Sequence, residues 1–125
     1  MKMLFTTTTL VLALTAGAFA GQLSAGPIYS AHASSGYCWF TNLGAVSVTL
    51  TSQAMYTWTS TTPISTTGNC GNSTIVPGQS CYIHPTASYN ALSCKVTFST
   101  KVVGVRGSLE LTDTNDDEIS QVELR

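Results

Sequence analysis

The chain has 125 residues, a formal net charge of −1, and hydrophobic residues at 43% of its positions, enough for one modest core. No Asp, Glu, Lys or Arg occurs from Met3 to Cys94, and all six carboxylates lie between Glu110 and Glu123. Paired carboxylates, activated lysines and acid-oriented histidines all need such groups, so most catalytic chemistry is excluded from most of the chain. The net charge also lacks the basic excess that binds nucleic acid, so we expect no nucleic-acid partner.

The first twenty residues have the pattern of a secretory signal peptide. Lys2 supplies a positive start, an apolar stretch follows from Leu10 to Leu14, and Ala18-Phe19-Ala20 offers a cleavage site. We therefore predict a mature chain that starts at Gly21 and is secreted to the periplasm or the medium. No later segment is apolar enough to insert into a membrane. Residues 21–36 are predicted as a flexible N-terminal segment and residues 37–125 as a single domain.

Hydrophobic residues alternate with polar ones in several short runs, which is typical of half-buried strands. The clearest runs contain Cys38 and Phe40, Val46 to Leu50, and Cys94 to Phe98. Further strands are predicted at residues 55–59, 73–76 and 119–124, with a loop over residues 60–72. Two more are predicted, one with Cys81 and Ile83 on one face and one with Leu109 and Leu111. Seven to nine short strands without a helical period predict an all-β fold, an antiparallel β-sandwich.

Four cysteines in an exported chain favour two disulfides over a metal site, and no C-x-x-C pair is present. Four cysteines can form two disulfides in three different ways. We predict Cys70 with Cys81, because the two flank a single turn. Cys38 and Cys94 each begin an alternating apolar run, and their pairing would staple one sheet to the other.

Five segments contain turns and strand patterns typical of small sandwich domains: Thr41-Asn42-Leu43-Gly44, Val46-Ser47-Val48, Asn69-Cys70-Gly71, Ile75-Val76-Pro77-Gly78-Gln79-Ser80-Cys81 and Gly107-Ser108-Leu109-Glu110-Leu111-Thr112-Asp113. These segments resemble the immunoglobulin-like sandwich repeats of bacterial surface proteins, of the ASPM/SPD-2/hydin type. The resemblance covers residues 38–115 and implies an immunoglobulin-like sandwich. The chain is also similar to small exported bacterial proteins of unknown function with four cysteines and a Gly-x-Leu-x-Leu strand.

The acidic run from Asp113 to Glu118 is a candidate calcium site. Asp113, Asn115 and Asp117 reproduce the alternating oxygen ligands that open an EF-type loop. Glu118 stands where that loop needs glycine, so an EF-hand is excluded and only a different oxygen cage remains. The alternative is a solvated turn whose charges discourage edge pairing. We predict no cofactor otherwise.

Aromatic residues are the candidate ligand-binding groups. If Cys38 points into the core, parity turns Tyr37 and Trp39 outward, and the same rule applies to Tyr82 opposite Cys81. Tyr56 and Trp58 are expected to share one face of a separate strand. Exposed rings can stack on sugars or anchor a protein partner, and we expect binding to run through these rings rather than through charges.

Three classes of function remain open. The first is a secreted, non-enzymatic binding or surface module that contacts a glycan or a protein. The second is a structural subunit of a pilus-like fibre or coat, completed by donated strands. The third is a small secreted hydrolase, which the scarcity of ionisable groups disfavours.

Overall fold

The computed structural model describes residues 21–71, 74–99 and 101–125. The predicted signal peptide therefore lies outside the described residues. Over the described ranges the chain forms nine strands and no helix that is long and apolar enough to cross a membrane. The strands are β1 (Gln22–Tyr29), β2 (Ser35–Asn42), β3 (Val48–Tyr56), β4 (Thr66–Gly68), β5 (Thr74–Ile75), β6 (Ser80–Pro85), β7 (Ala91–Phe98), β8 (Val105–Thr112) and β9 (Glu118–Glu123).

Two antiparallel sheets pack against each other. One has the strand order β1-β7-β3-β5, and the other has the order β4-β6-β2-β8-β9. From β1 to β8, consecutive strands alternate between the two sheets, and β8 and β9 form a hairpin within one sheet. This arrangement confirms the predicted all-β, disulfide-stapled sandwich and the predicted number of strands. The connectivity differs from that of immunoglobulin domains. Those domains place their first two strands, A and B, in one sheet, whereas β1 and β2 of this chain lie in different sheets.

The core lies between the sheets and is filled by alternate residues of the longer strands. On β2, even-numbered positions are buried and odd-numbered positions are half-buried on the opposite face. The largest fully buried side chains include Phe40 of β2, Phe98 of β7 and Leu109 of β8. Strand pleating accounts for this pattern, because successive side chains point to opposite faces.

Both predicted disulfides are present. Cys38 on β2 is bonded to Cys94 on β7, which joins the two sheets through the core. Cys70, just after β4, is bonded to Cys81 on β6. All four cysteines are buried, and two disulfides indicate an oxidising compartment.

The sandwich begins earlier than the predicted boundary at Tyr37. Residues 22–29 form β1, which pairs with β7 along most of its length, so part of the segment expected to be flexible belongs to the domain. Its inward residues, among them Leu23 and Ile28, are only partly buried against the core. The last residue of the chain, Arg125, exchanges two backbone hydrogen bonds with Ser24, each 2.9 Å long, and thereby joins the β1 and β9 edges.

The middle of the chain differs from the prediction in two places. The two runs expected as separate strands, Val46 to Leu50 and residues 55–59, both contribute to one strand, β3, which has a register shift between Leu50 and Ser52. That irregularity interrupts the alternation, which explains why the sequence suggests two strands. The predicted loop over residues 60–72 contains the short edge strand β4, paired with β6.

Candidate functional site

Four aromatic rings lie together on the outer face of the five-stranded sheet. Tyr37 and Trp39 come from β2, and Tyr82 and His84 come from the adjacent strand β6. Trp39 stands directly opposite Tyr82 in the register between the two strands. All four rings are half-buried, because each covers its neighbours. We call these four residues the aromatic platform.

The rings of the platform are in mutual contact. The centroids of Trp39 and Tyr82 are 4.8 Å apart, and those of Tyr37 and His84 are 5.2 Å apart. Along β2, the rings of Tyr37 and Trp39 are 5.9 Å apart with planes inclined by 29°. Spacings of this size are those of favourable aromatic pairs. The platform is therefore a continuous aromatic surface spread over two strands.

A carboxyl group contacts the platform from the neighbouring strand β8. The indole Nε1 of Trp39 donates a hydrogen bond of 2.7 Å to Oε1 of Glu110. In the register between β2 and β8, Glu110 stands opposite Tyr37, and Ser108 stands opposite Trp39. The indole has a single N–H donor, so this bond restrains the orientation of the Trp39 ring.

The surroundings shift the pKa values of two groups at this surface. Partial burial raises the pKa of Glu110, the Trp39 bond opposes that rise, and a hydrogen bond and the charge of Glu118 add to it. Partial burial also raises the pKa of Tyr37, with further contributions from Asp116, Tyr82 and Glu110. Both pKa values rise for the same reasons. Partial removal from water and nearby negative groups make the ionised form of each side chain less favourable.

Two shallow depressions flank the platform. One, of about 370 Å³, lies beside Trp39 and is bordered by Arg106, Ser108 and Glu123. The other, of about 340 Å³, lies beside Tyr37 and His84 and is bordered by Asp116. The margins of the two depressions carry hydroxyl, amide and charged groups beside the rings.

The structure brings together three of the five aromatic residues that the sequence predicts as ligand-binding groups, and it places the other two elsewhere. Tyr37, Trp39 and Tyr82 point outward as parity predicts, and they come together in the platform. Tyr56 is half-buried at the end of β3, in the other sheet. Trp58 lies beyond the end of β3, so the expectation that it shares a strand face with Tyr56 is wrong.

Trp58 instead forms a second, smaller aromatic site. Its ring packs edge-on against Tyr29, with the ring centroids 5.9 Å apart, and the two side chains are 61% and 54% exposed. Asn90 and Ala91 complete a depression of about 240 Å³. Trp39 and Trp58 are the two tryptophans of the chain, so each site contains one.

The acidic run forms the turn between β8 and β9. Oδ1 of Asp113 accepts hydrogen bonds from the backbone nitrogen atoms of Asn115, at 2.7 Å, and Asp117, at 3.1 Å. Within the described part of the chain, no group of three or more His, Cys, Asp or Glu side chains is placed to hold a metal ion. The Asp113 carboxylate therefore serves to close the turn. That Asp113, Asn115 and Asp117 form a solvated turn rather than a calcium site stays a prediction.

No protein-family model, curated protein or solved structure matches the chain. The resemblance to immunoglobulin-like bacterial repeats thus stays a prediction, and any functional inference depends on the geometry of the chain itself.

Proposed function

We propose that this chain is a secreted, non-enzymatic binding module, and that its ligand is a carbohydrate chain lying across the aromatic platform. The observation that supports the proposal is the contact of four rings on one open sheet face, between two depressions with polar margins. Aromatic faces provide the apolar contact that a sugar ring needs, and the marginal groups provide hydrogen bonds to its hydroxyls.

The shape of the surface favours a chain ligand over a small molecule. Small-molecule sites are concave and enclose most of their ligand, whereas the platform is open. A chain that follows β2 would contact Trp39 and Tyr37 in turn and reach both depressions. The polar contacts available there include Ser108 and Gln121 as well as charged groups.

A polysaccharide and glycan array with the oxidised mature protein is the direct test. We expect binding that Trp39→Ala and Tyr82→Ala each weaken by roughly 30-fold or more, which corresponds to about 2 kcal/mol for a central aromatic contact. Trp58→Ala is the matched control, since it removes an exposed tryptophan outside the platform. Its affinity should equal that of the parent protein.

Three results would contradict the proposal. Unchanged affinity in a folded Trp39→Ala variant would remove the platform from the site. Loss of binding in Trp58→Ala alone would transfer the site to the pair with Tyr29. Binding to proteins but to no saccharide would mean that the ligand is a protein and not a carbohydrate.

Export and the lack of catalysis need their own measurements. The intact mass of material recovered outside the cytoplasm should correspond to a chain that starts at Gly21. Screening against glycosidase, esterase and peptidase substrates should give no turnover above that of a Trp39→Ala, Glu110→Gln double variant. Retention of residues 1–20 would contradict the localisation, and turnover that the double variant loses would make the platform an active site.

A further inference from the structure

Negative charge lies along one side of the aromatic platform, on β8, β9 and the turn between them. Glu110 accepts a hydrogen bond from Trp39, and the charge of Glu118 is close enough to contribute to the raised pKa of Glu110. Asp116 borders one depression and Glu123 borders the other. Four of the six carboxylates of the chain therefore lie at this one surface.

Positive groups are placed mostly elsewhere among the described residues. Lys95 lies on β7 in the opposite sheet, and Lys101 lies between β7 and β8. Arg125 borders the gap between β1 and β9. Arg106 alone borders a depression of the platform, at the end where it stands opposite Thr41. The middle of the platform, around Trp39 and Tyr37, is thus aromatic and acidic.

Aromatic faces and carboxylates attract the same kind of ligand group. The face of an aromatic ring carries negative potential and binds ammonium groups, best of all on tryptophan. Hydrogen bonds between an ammonium and a carboxylate are about twice as strong as neutral ones. The raised pKa of Glu110 reflects an ionised form that lacks sufficient solvation, and a ligand cation would compensate for that loss. An anionic ligand would be repelled by the same groups.

We propose that the ligand of the platform is an amino-sugar chain with protonated amino groups, one of which lies between the Trp39 ring and the carboxyl groups of Glu110 and Glu118. This inference depends on the proposed function, because it specifies the class of carbohydrate. In this arrangement the aromatic rings contact the faces of the sugar rings, and the carboxyl groups beside them bind the charged amino groups of the ligand.

The test compares a glucosamine oligomer, whose amino groups are positively charged, with the N-acetylglucosamine oligomer of the same length, whose acetamido groups are uncharged. Binding is measured by tryptophan fluorescence on the Trp58→Phe variant, so that Trp39 is the sole reporter, at a pH where the amine is protonated and Glu110 is ionised. We expect the free-amine oligomer to bind about tenfold more tightly or better, as one charge-assisted contact implies. Added salt should reduce the difference.

Charge-removing variants identify the residues responsible. Glu110→Gln keeps an oxygen acceptor for the Trp39 indole, so the ring stays restrained while the charge is lost. The double variant Glu110→Gln, Glu118→Gln should bind both oligomers equally. Asp117→Asn is the matched control, because it removes one exposed charge from the turn, and it should retain the preference.

Distinct results separate the two proposals. Equal affinity for the two oligomers, or a preference for the acetylated one, would overturn this inference and leave carbohydrate binding intact. A preference that survives in the double variant would overturn the assigned carboxylates. Tight binding of an oligolysine peptide that Trp39→Ala leaves unchanged would show general charge attraction and overturn it as well. Binding of no saccharide of any kind would remove the proposed function itself.

Discussion

The side-chain amide of Asn42 donates a hydrogen bond of 2.9 Å to the carbonyl oxygen of Ile75, so that β2 is tied to β5 in the opposite sheet. The same nitrogen donates to the carbonyl oxygen of Val46 at 2.8 Å, and Oδ1 accepts from the backbone nitrogen of Gly44 at 2.9 Å. Asn42 is fully buried. A buried amide with this many partners organises three segments of backbone at one end of the sandwich.

Replacing Asn42 should destabilise the domain strongly. Asn42→Leu keeps the number and branching of the side-chain heavy atoms but leaves the Ile75 and Val46 carbonyl groups without donors, and we expect a loss of about 2 to 4 kcal/mol in the free energy of unfolding. Urea denaturation measures this. Asn90→Ala, at an exposed asparagine, is the control and should change stability by less than about 0.5 kcal/mol. A loss in Asn42→Leu no larger than in the control would show that these bonds contribute nothing.

Thr112 should tolerate loss of its hydroxyl. The residue is 2% exposed, and its Oγ1 has no hydrogen-bond partner among the described residues. Valine has nearly the same shape and no polar atom to bury, so Thr112→Val should raise the free energy of unfolding by about 1 kcal/mol. Thr114→Val, in the exposed turn, should have no such effect. A destabilised Thr112→Val would indicate a bonded hydroxyl.

Stability should fall as the pH rises through the pKa of Glu110. Because burial raises this pKa in the folded chain, the folded state binds the proton more tightly than the unfolded state does. The contribution is therefore complete below the unfolded-state pKa and is lost as the pH rises through the higher folded-state value. Glu110→Gln should remove this part of the pH dependence of the melting temperature, whereas Glu123→Gln should retain it. The same pH dependence in the parent protein and in Glu110→Gln would assign it to another group.

The disulfide between the sheets should contribute more than the one beside β4. The two bonds join cysteines separated by 56 and 11 residues, and loop-closure entropy then predicts contributions of about 4 and about 3 kcal/mol. Unfolding of the Cys38→Ala, Cys94→Ala variant should therefore require less urea than unfolding of Cys70→Ala, Cys81→Ala. The reverse order would mean that packing around the sulfur atoms outweighs loop closure.

The acidic turn should depend on Asp113 whether or not calcium is present. Asp113→Ala removes the acceptor of two backbone hydrogen bonds and should lower the melting temperature, while Asp117→Ala should have a smaller effect. Added calcium should not raise the melting temperature of the parent protein. A calcium-dependent increase that both variants abolish would establish the metal site instead.

Local alternation in the sequence is sufficient to predict which side of β2 and β6 faces outward, but not which strands are neighbours. Parity beside Cys38 and Cys81 places Tyr37, Trp39 and Tyr82 on the outer face, as observed. The contact between Trp39 and Glu110 depends on the pairing of β2 with β8, across 71 residues. The alternating Leu109 and Leu111 suggest that Glu110 faces outward, but no local pattern reveals its partner. The expectation of binding without charges therefore takes no account of the carboxyl group that contacts Trp39, and it stays a prediction.

Two further differences have local causes. β1 contains glycine and proline, and its inward side chains are few and only partly buried, so it lacks the strong alternation of the core strands. Trp58 follows Tyr56 at strand spacing, yet β3 ends at Tyr56 and the chain then turns, with the backbone nitrogen of Ser60 bonded to the carbonyl oxygen of Thr57. A two-residue period cannot show where a strand stops.

The alternation of strands between the sheets has a consequence for how the chain folds. β1 finds its partner in β7 and β2 finds one in β8, so most of the sheet pairing joins segments that are far apart in the sequence. The entropy of closing such long loops is lost before the contacts between the strands form. Folding is therefore expected to be slow compared with that of domains built from local hairpins. The four-stranded sheet lacks an inner strand until β7 is available, and the five-stranded sheet lacks one until β8 is available. The sandwich therefore cannot form on a nascent chain before β8 has been synthesised, and until then its apolar strands are exposed to aggregation.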